Sequence, residues 1–427
     1  MFKDIIGTIG ARYVVAFLNL LLIVINSKVL GRDGVGLVGI IYASASFAVI
    51  FNSILCGNTI VYFMNRYNLR SVFYPAYIWA FAGSAIACFV MYLLNMLPEG
   101  YEAIVCALAV LMSLVPANTL MLLGKDNVKG FNLVYLVQGV LMFCILLYIY
   151  YVADYKNVGG YLTGLFVAYL IAYLYSFILL FPYLMKKDSL PEGVSFFAVL
   201  KEMFVYGMWI GADNLAEGLT TRLNYFFVRN LGGYGNVGLL DSGSKMSESV
   251  WHISNSVSYI EYNSVSKTTD RKEHKRVTLR LFKLTYCALI AVMAIVVCVP
   301  EWVFTEYILT PEFAGIRDVI LGLSVGIIAF GSNRILSHYF IGSGNIRYST
   351  FCSFFGLAVL LIAGLILIPI YGVLGAAITS SIAYTCMLVF SMVIFMKQTG
   401  TSPRELLLSK GDVKEFKDKV LQKLSRI

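Results

Sequence analysis

The sequence predicts an all-α polytopic membrane protein with twelve transmembrane helices in two parallel six-helix repeats. Three observations carry this reading. Apolar residues make up 59% of the 427 residues and charged residues only 13%, where soluble chains carry about a quarter charged; mean hydropathy is +0.78. Twelve apolar segments have lengths suited to crossing the hydrocarbon as helix: 13–30, 37–63, 73–94, 104–123, 131–152, 160–184, 203–228, 236–265, 284–298, 319–342, 349–368 and 374–396. Finally, positive charge alternates from one connection to the next.

The chain start and the even-numbered gaps together hold 25 of the 33 Lys and Arg. The opposite side holds five: Lys28, Arg32, Lys156, Arg229 and Arg317. Arg222, Lys245 and Arg334 lie within segments. The positive-inside rule then puts both ends in the cytoplasm. The net charge of +9 is topological, facing an anionic leaflet, so no nucleic-acid partner is expected. The first apolar run, from Tyr13, lacks a small-residue cleavage site and reads as the first span.

The segments fall into two halves. The first segment ends in Leu30-Gly31-Arg32-Asp33-Gly34-Val35-Gly36-Leu37, and the seventh in Leu231-Gly232-Gly233-Tyr234-Gly235-Asn236-Val237-Gly238-Leu239. A second echo pairs Gly124–Lys129 with Gly342–Arg347. Six spans per half make the repeats parallel, related by an axis along the membrane normal. The expected division is an N-terminal lobe 1–185, an interfacial linker 186–202, a C-terminal lobe 203–400 and a basic tail 401–427. In the linker, Phe196–Leu200 is expected to lie flat at the interface. In the tail, Val413, Phe416, Val420, Leu424 and Ile427 recur at helical spacing among lysines, predicting an amphipathic helix on the inner leaflet. The loop 299–318 is too short to fold alone.

The eight cysteines are scattered and form neither a disulfide framework nor a metal site. No cofactor is expected.

Charges inside a bilayer cost about 2.5–3.5 kcal/mol each at mid-helix, so they normally face a cavity or a partner. In the eighth segment Asp241, Lys245, Glu248, His252, Asn255 and Tyr259 recur at spacings of three and four, one stripe of a helix. They form either a closed seam of Asp241–Lys245 and Glu248–His252 pairs or the wall of an aqueous cavity. The seventh segment carries Asp213, Glu217 and Asn224 on a similar stripe. Arg222 is out of phase with Asp213; a kink at Gly218 or snorkelling toward the outer interface would accommodate it. Arg12, Asn19 and Asn26 share a face of the first segment. Arg12 and Asp213 are repeat-equivalent, so Arg12 is either a membrane anchor or a cross-axis partner of Asp213. Arg334 and His338, one turn apart, are suited to an acid of the seventh or eighth segment or to a substrate anion. Asn52, Asn58, Thr59 and Gln138 suit interhelical hydrogen bonds.

Twelve spans in two parallel halves, the Leu30–Gly36 turn and its echo resemble the polysaccharide flippases. So do Pro311-Glu312-Phe313-Ala314-Gly315 and Ile368-Pro369-Ile370-Tyr371-Gly372-Val373-Leu374-Gly375. These are the O-antigen flippases of the multidrug/oligosaccharidyl-lipid/polysaccharide exporter superfamily, and the resemblance covers residues 1–400. It implies a V-shaped protein of the bacterial inner membrane whose first, second, seventh and eighth helices line a central cleft. Its substrate would be an oligosaccharide on undecaprenyl diphosphate; membrane lipids and polysaccharide assembly proteins would be its partners. In relatives the cleft is often cationic, whereas here acids are mixed in.

The expected substrate-binding residues are Lys245, Arg334, Arg12, Asn19, His252 and Asn255; the expected ion-coupling residues are Asp213, Glu217, Asp241 and Glu248. The leading expectation is an ion-coupled flippase working by alternating access, not an enzyme. A cation-coupled multidrug and toxin extrusion antiporter is the first alternative. A membrane-embedded polymerase or glycosyltransferase is the second, disfavoured by the short outer loops. No Walker motif supports ATP-driven transport within this chain.

Overall fold

The computed structural model describes residues 2–57, 59–64, 66–186, 196–266 and 270–406, and the side chains of these except 2–13, 259–260, 262–264 and 266. Helices dominate, and no strand occurs among the described residues. Three long helical runs are each broken by one glycine: Gly31 (φ 66°, ψ −178°), Gly233 (φ 72°, ψ −175°) and Gly372 (φ 56°, ψ −127°). Only glycine adopts such conformations without strain. Divided there, the described residues form twelve long helices. They are α1 (2–30), α2 (32–56, continued by Thr59–Met64), α3 (Leu69–Leu93), α4 (Glu102–Gly124), α5 (Val128–Tyr151) and α6 (Val158–Met185). The second six are α7 (196–232), α8 (234–248, continued by Trp251–Ser266), α9 (Arg271–Cys298), α10 (Ile316–Gly342), α11 (346–371) and α12 (373–399).

Local chemistry starts several of these helices. Asn68, Asn127, Asn157 and Asp270 are N-caps whose side chains accept from Ser71, Gly130, Gly160 and Lys272 amides at 2.8–2.9 Å. The outward faces are apolar: Phe81, Phe89, Ile178, Ile362 and Leu365 are exposed. Small and hydroxyl residues fill the interior, Ser44, Ser84, Ser113, Ser176 and Thr220 among them. That is the packing of a membrane bundle, where lipid already satisfies apolar surface and close helix approach supplies cohesion. Asn52 donates to Ser84 and Ser113, both at 2.8 Å, joining α2, α3 and α4. Thr59 donates within its own turn to Ile54, and Asn58 lies outside the described residues.

Two expectations are corrected here. Phe196–Leu200 is not a separate interfacial segment but the first turns of α7, since no helix breaker separates it from the span. The ninth helix starts at Arg271, well before its apolar stretch, because hydropathy detects only the lipid-facing part of a helix. The expected tail helix lies outside the described residues beyond 406. Before that point, Glu405 pairs with Lys275 of α9 at 2.8 Å, and this hydrogen bond holds the Glu405 carboxyl below its ordinary range.

The two halves meet through α2 and α7 over their length. Methyl groups on Gly207, Gly211 or Gly218 of α7 would overlap Ile54 or Ile50 of α2. Phe47 stacks on Phe226 at 5.6 Å, and Tyr62 on Tyr206 at 4.1 Å. By contrast, the Trp251–Ser266 half of α8 packs on α9 and α10, leaving His252 and Ser256 exposed on its other side.

Candidate functional site: a cleft closed at one end

The closed end is built from the two glycine turns. Arg32, just past Gly31, donates through Nε to the Gly235 carbonyl at 2.7 Å and through Nη2 to Asn236 Oδ1 at 2.7 Å. Its amide donates to Glu312 Oε2 at 3.0 Å, and Nη1 reaches the Glu312 carbonyl at 3.3 Å. The planar guanidinium thereby joins the first turn, its echo and the Pro311–Phe313 turn before α10. Glu301 braces that last turn, accepting from the Gly315 amide at 2.5 Å. Nearby, Arg229 donates to the Asn95 and Met96 carbonyls at 2.6 and 3.1 Å.

Beneath this closure lies a narrow recess lined by Ile23, Asn26 and Leu30 of α1, Val35 and Val38 of α2, Tyr161 of α6, and Asp241, Ser242 and Lys245 of α8. Asn19 lies on the recess-facing side of α1, one turn below Ile23, and is exposed. Asn26 accepts from Tyr150 at 3.0 Å. Lys245 Nζ binds Asp241 at 2.6 Å and stands 6.0 Å from the Tyr42 ring centre. Asp241 is 2% exposed, so its pair with Lys245 is the charge balance of the recess. Below Lys245 along the same helix come His252 and Ser256, both exposed, on the side away from α9 and α10.

The other candidates are distributed among the last six helices. Arg334 of α10 binds Glu217 of α7 at 3.0 Å, donates to Asn255 of α8 and lies over the rings of Trp251 and Phe330. Arg222 makes a bidentate pair with Glu248, at 2.5 and 2.8 Å, and donates to Tyr225 at 2.8 Å. Asp213 is buried and accepts from Ser349 and Ser353 of α11 at 3.0 and 2.7 Å. The Arg12 side chain is outside those described. The eighth-segment stripe therefore does not face one space: Asp241 and Lys245 face the recess, Glu248 faces α7, His252 faces the cleft and Asn255 faces α10.

No protein-family model matches this chain, and no curated protein matches it. Solved structures do, across nearly the whole length. The lipid II flippase MurJ in an inward closed conformation superposes with a TM-score of 0.72 at 13% identity, over 94% of this chain and 89% of that one. The eukaryotic MATE transporter AtDTX14 gives 0.68 at 14% identity, over 95% and 97%. An inward-facing multidrug resistance MATE family transporter of the MOP superfamily gives 0.64 at 13% identity, over 92% and 98%. The chain has their fold. It is a twelve-helix fold that one flippase and several MATE transporters share.

Two expectations about this fold's interior change. Glu248 pairs with Arg222, not with His252, because a bidentate guanidinium is a stronger partner than an imidazole one turn away on the same helix. Arg222 accordingly neither snorkels nor needs a kink at Gly218: it turns between α7 and α8 to meet that acid. The break instead falls in α8, where 3₁₀-type bonds run from Val250 to Ser247, His252 to Ser249 and Ile253 to Val250.

Three features were missed at the sequence level: the Arg32–Glu312 latch, the Ser349/Ser353 pair under Asp213, and the buried Glu261 on α8. The serines sit one turn apart on an apolar helix, which is a readable signal. Glu261 is off the stripe that drew attention to its neighbours.

Proposed function

We propose that this chain flips polyprenyl-diphosphate-linked oligosaccharide units across the bacterial inner membrane by ion-coupled alternating access, with both ends in the cytoplasm. One observation carries the reading: a recess closed at the glycine turns by Arg32, holding a lysine–aspartate pair, with exposed polar residues Asn19, His252 and Ser256 beyond it. Substrate made in the cytoplasm would enter from the basic end. Its diphosphate would compete with Asp241 for Lys245 and with Glu217 for Arg334. The acids would then be free to take up the coupling ion, so that anion binding and ion binding are linked through shared partners. Asp213, held by two hydroxyls and no described cation, is a further ion-coupling candidate. Arg12, Asn19, His252 and Asn255 complete the proposed substrate path, and the lobes 1–185 and 203–400 would be the moving bodies.

The same geometry favours a second reading on one point. Both described cations of the candidate substrate set are already neutralised by acids, an arrangement suited to an antiporter of amphiphilic cations. Reconstituted vesicles decide between the two. Transfer of a fluorescent polyprenyl-diphosphate-linked sugar between leaflets supports the flippase; ion-gradient-driven dye transport without lipid transfer supports the antiporter.

A further inference from the structure

We propose that Glu261 is a proton-binding site that controls the bend of α8, separate from the acids of the cleft. The inference builds on the transporter reading for its link to motion, but on no particular substrate.

In the Trp251–Ser266 half of α8, one face is exposed at His252 and Ser256. The opposite face, Ser254, Ser258, Glu261 and Val265, is buried. Glu261 is 0% exposed, and neither of its carboxyl oxygens has a hydrogen-bond partner. Thr278 of α9 is turned toward it; that hydroxyl is also fully buried and also lacks a partner. Among the described residues, the remaining polar groups around this point are His274 of α9, Tyr339 of α10 and Arg271 at the start of α9. His274 lies edge-on to Tyr339 with ring centres 6.5 Å apart, and Arg271 is exposed at the helix end. No described ion pair reaches Glu261.

An ionised carboxylate sealed among helices with no counter-charge, and at most one hydroxyl to donate to it, is strongly unfavourable. A proton on one oxygen removes the charge and supplies a donor for the Thr278 hydroxyl, so two orphaned groups are satisfied together. The described side chains that meet here, Glu261 and Thr278 with Ser258 one turn away, carry a single carboxylate among them, a donor set suited to a proton rather than to a divalent cation. The break at residues 248–251 lets the lower half of α8 tilt independently of the upper half. While it rests on α9 and α10, Glu261 is sealed and carries its proton. When it tilts toward α1 to close the basic end, Glu261 leaves Thr278, meets water and releases that proton. Protonation thus favours the state described here.

The test uses the full chain in lipid vesicles. The infrared carbonyl band of a protonated carboxylic acid is compared at neutral pH between wild type and Glu261→Gln. The expected result is a band present in wild type and lost in the variant, shifted but retained in Thr278→Val. An identical spectrum in wild type and Glu261→Gln overturns the assignment. Should Glu261→Gln fail to fold, the Thr278→Val shift decides, and an unshifted band overturns it. Tilt is read separately, from labelling of Ser256→Cys by an impermeant thiol reagent. Labelling in the wild-type background, taken relative to Glu261→Gln at the same pH so that thiolate formation cancels, should fall as pH rises; equal pH dependence in both overturns the coupling. Neither readout needs substrate, so failure of the flippase reading leaves this inference standing, and the reverse holds too.

Discussion

Gly36 and Gly238 face each other across the join between the halves so closely that neither tolerates a side chain. A methyl on Gly36 would lie 2.8 Å from the Gly238 nitrogen, and one on Gly238 would lie 3.1 Å from the Gly36 nitrogen. Each would also overlap a carbonyl of the opposite turn, that of Tyr234 or Arg32. Repeat-equivalent residues thus sit where the closed end must come together.

Gly36→Ala or Gly238→Ala should push the turns apart. Overpacking of this kind costs about 1–3 kcal/mol, a cost carried only by the conformation closed at this end. Spin labels at Asp33 and Asn236 should report a longer separation in either variant. An unchanged distance distribution would show that the contact does not hold the end shut.

Arg32→Lys should behave almost as badly as Arg32→Ala. The guanidinium bonds three different acceptors at once, and an ammonium cannot span them. The expected outcome is an order-of-magnitude loss of lipid transfer for both variants. Transfer at wild-type rate in Arg32→Lys would reduce the latch to a simple charge.

Arg222→Ala or Glu248→Ala should each destabilise the chain by about 3–5 kcal/mol, since a partly buried charge loses its partner. Arg222→Met with Glu248→Leu should cost much less than the sum of the single changes. Thermal unfolding in detergent measures all three. Additive losses would mean that the pair contributes through something other than mutual neutralisation.

Asp241→Asn should strengthen binding of a polyprenyl diphosphate by about tenfold, worth about 1.4 kcal/mol, because Lys245 no longer has a competing anion. The same variant should lose dependence on the ion gradient. Lys245→Ala should abolish binding, and Lys245→Arg should restore part of it. Equal affinity in wild type, Asp241→Asn and Lys245→Ala would remove this pair from the substrate path.

Orientation has its own test. Glu306→Cys should react with an impermeant thiol reagent in intact cells, whereas Lys272→Cys should be protected. The reverse pattern would invert the proposed topology.

The spans were legible because segment length and Lys/Arg placement answer directly to bilayer thickness and surface charge. The glycine turns were legible as a repeat, and Gly31 and Gly233 do share one backbone conformation. The charge pairing was only half legible. Asp241–Lys245 lies within one helix, so spacing alone predicts it. Arg222–Glu248 and Arg334–Glu217 depend on how α7, α8 and α10 rotate against one another, which periodicity does not encode. The phase argument correctly separated Arg222 from Asp213, but phase could not say which neighbour Arg222 would meet. The break in α8 carries no proline; it falls in a serine-rich stretch that reads as ordinary helix.

Among the described residues, the acids that are buried (Asp213, Asp241 and Glu261) or paired with Arg222 or Arg334 (Glu248 and Glu217) all belong to α7 and α8. The first six helices bring amides, hydroxyls and aromatic rings to the cleft instead. Under the proposed reading the second half handles charge, the coupling ion through its acids and the diphosphate through Lys245 and Arg334. The first half shapes the space for the sugars. Such a division leaves the first half open to diverge with each new glycan while the machinery of its partner is inherited unchanged. A hybrid joining this second half to the first half of a relative with a different glycan would then export the relative's cargo.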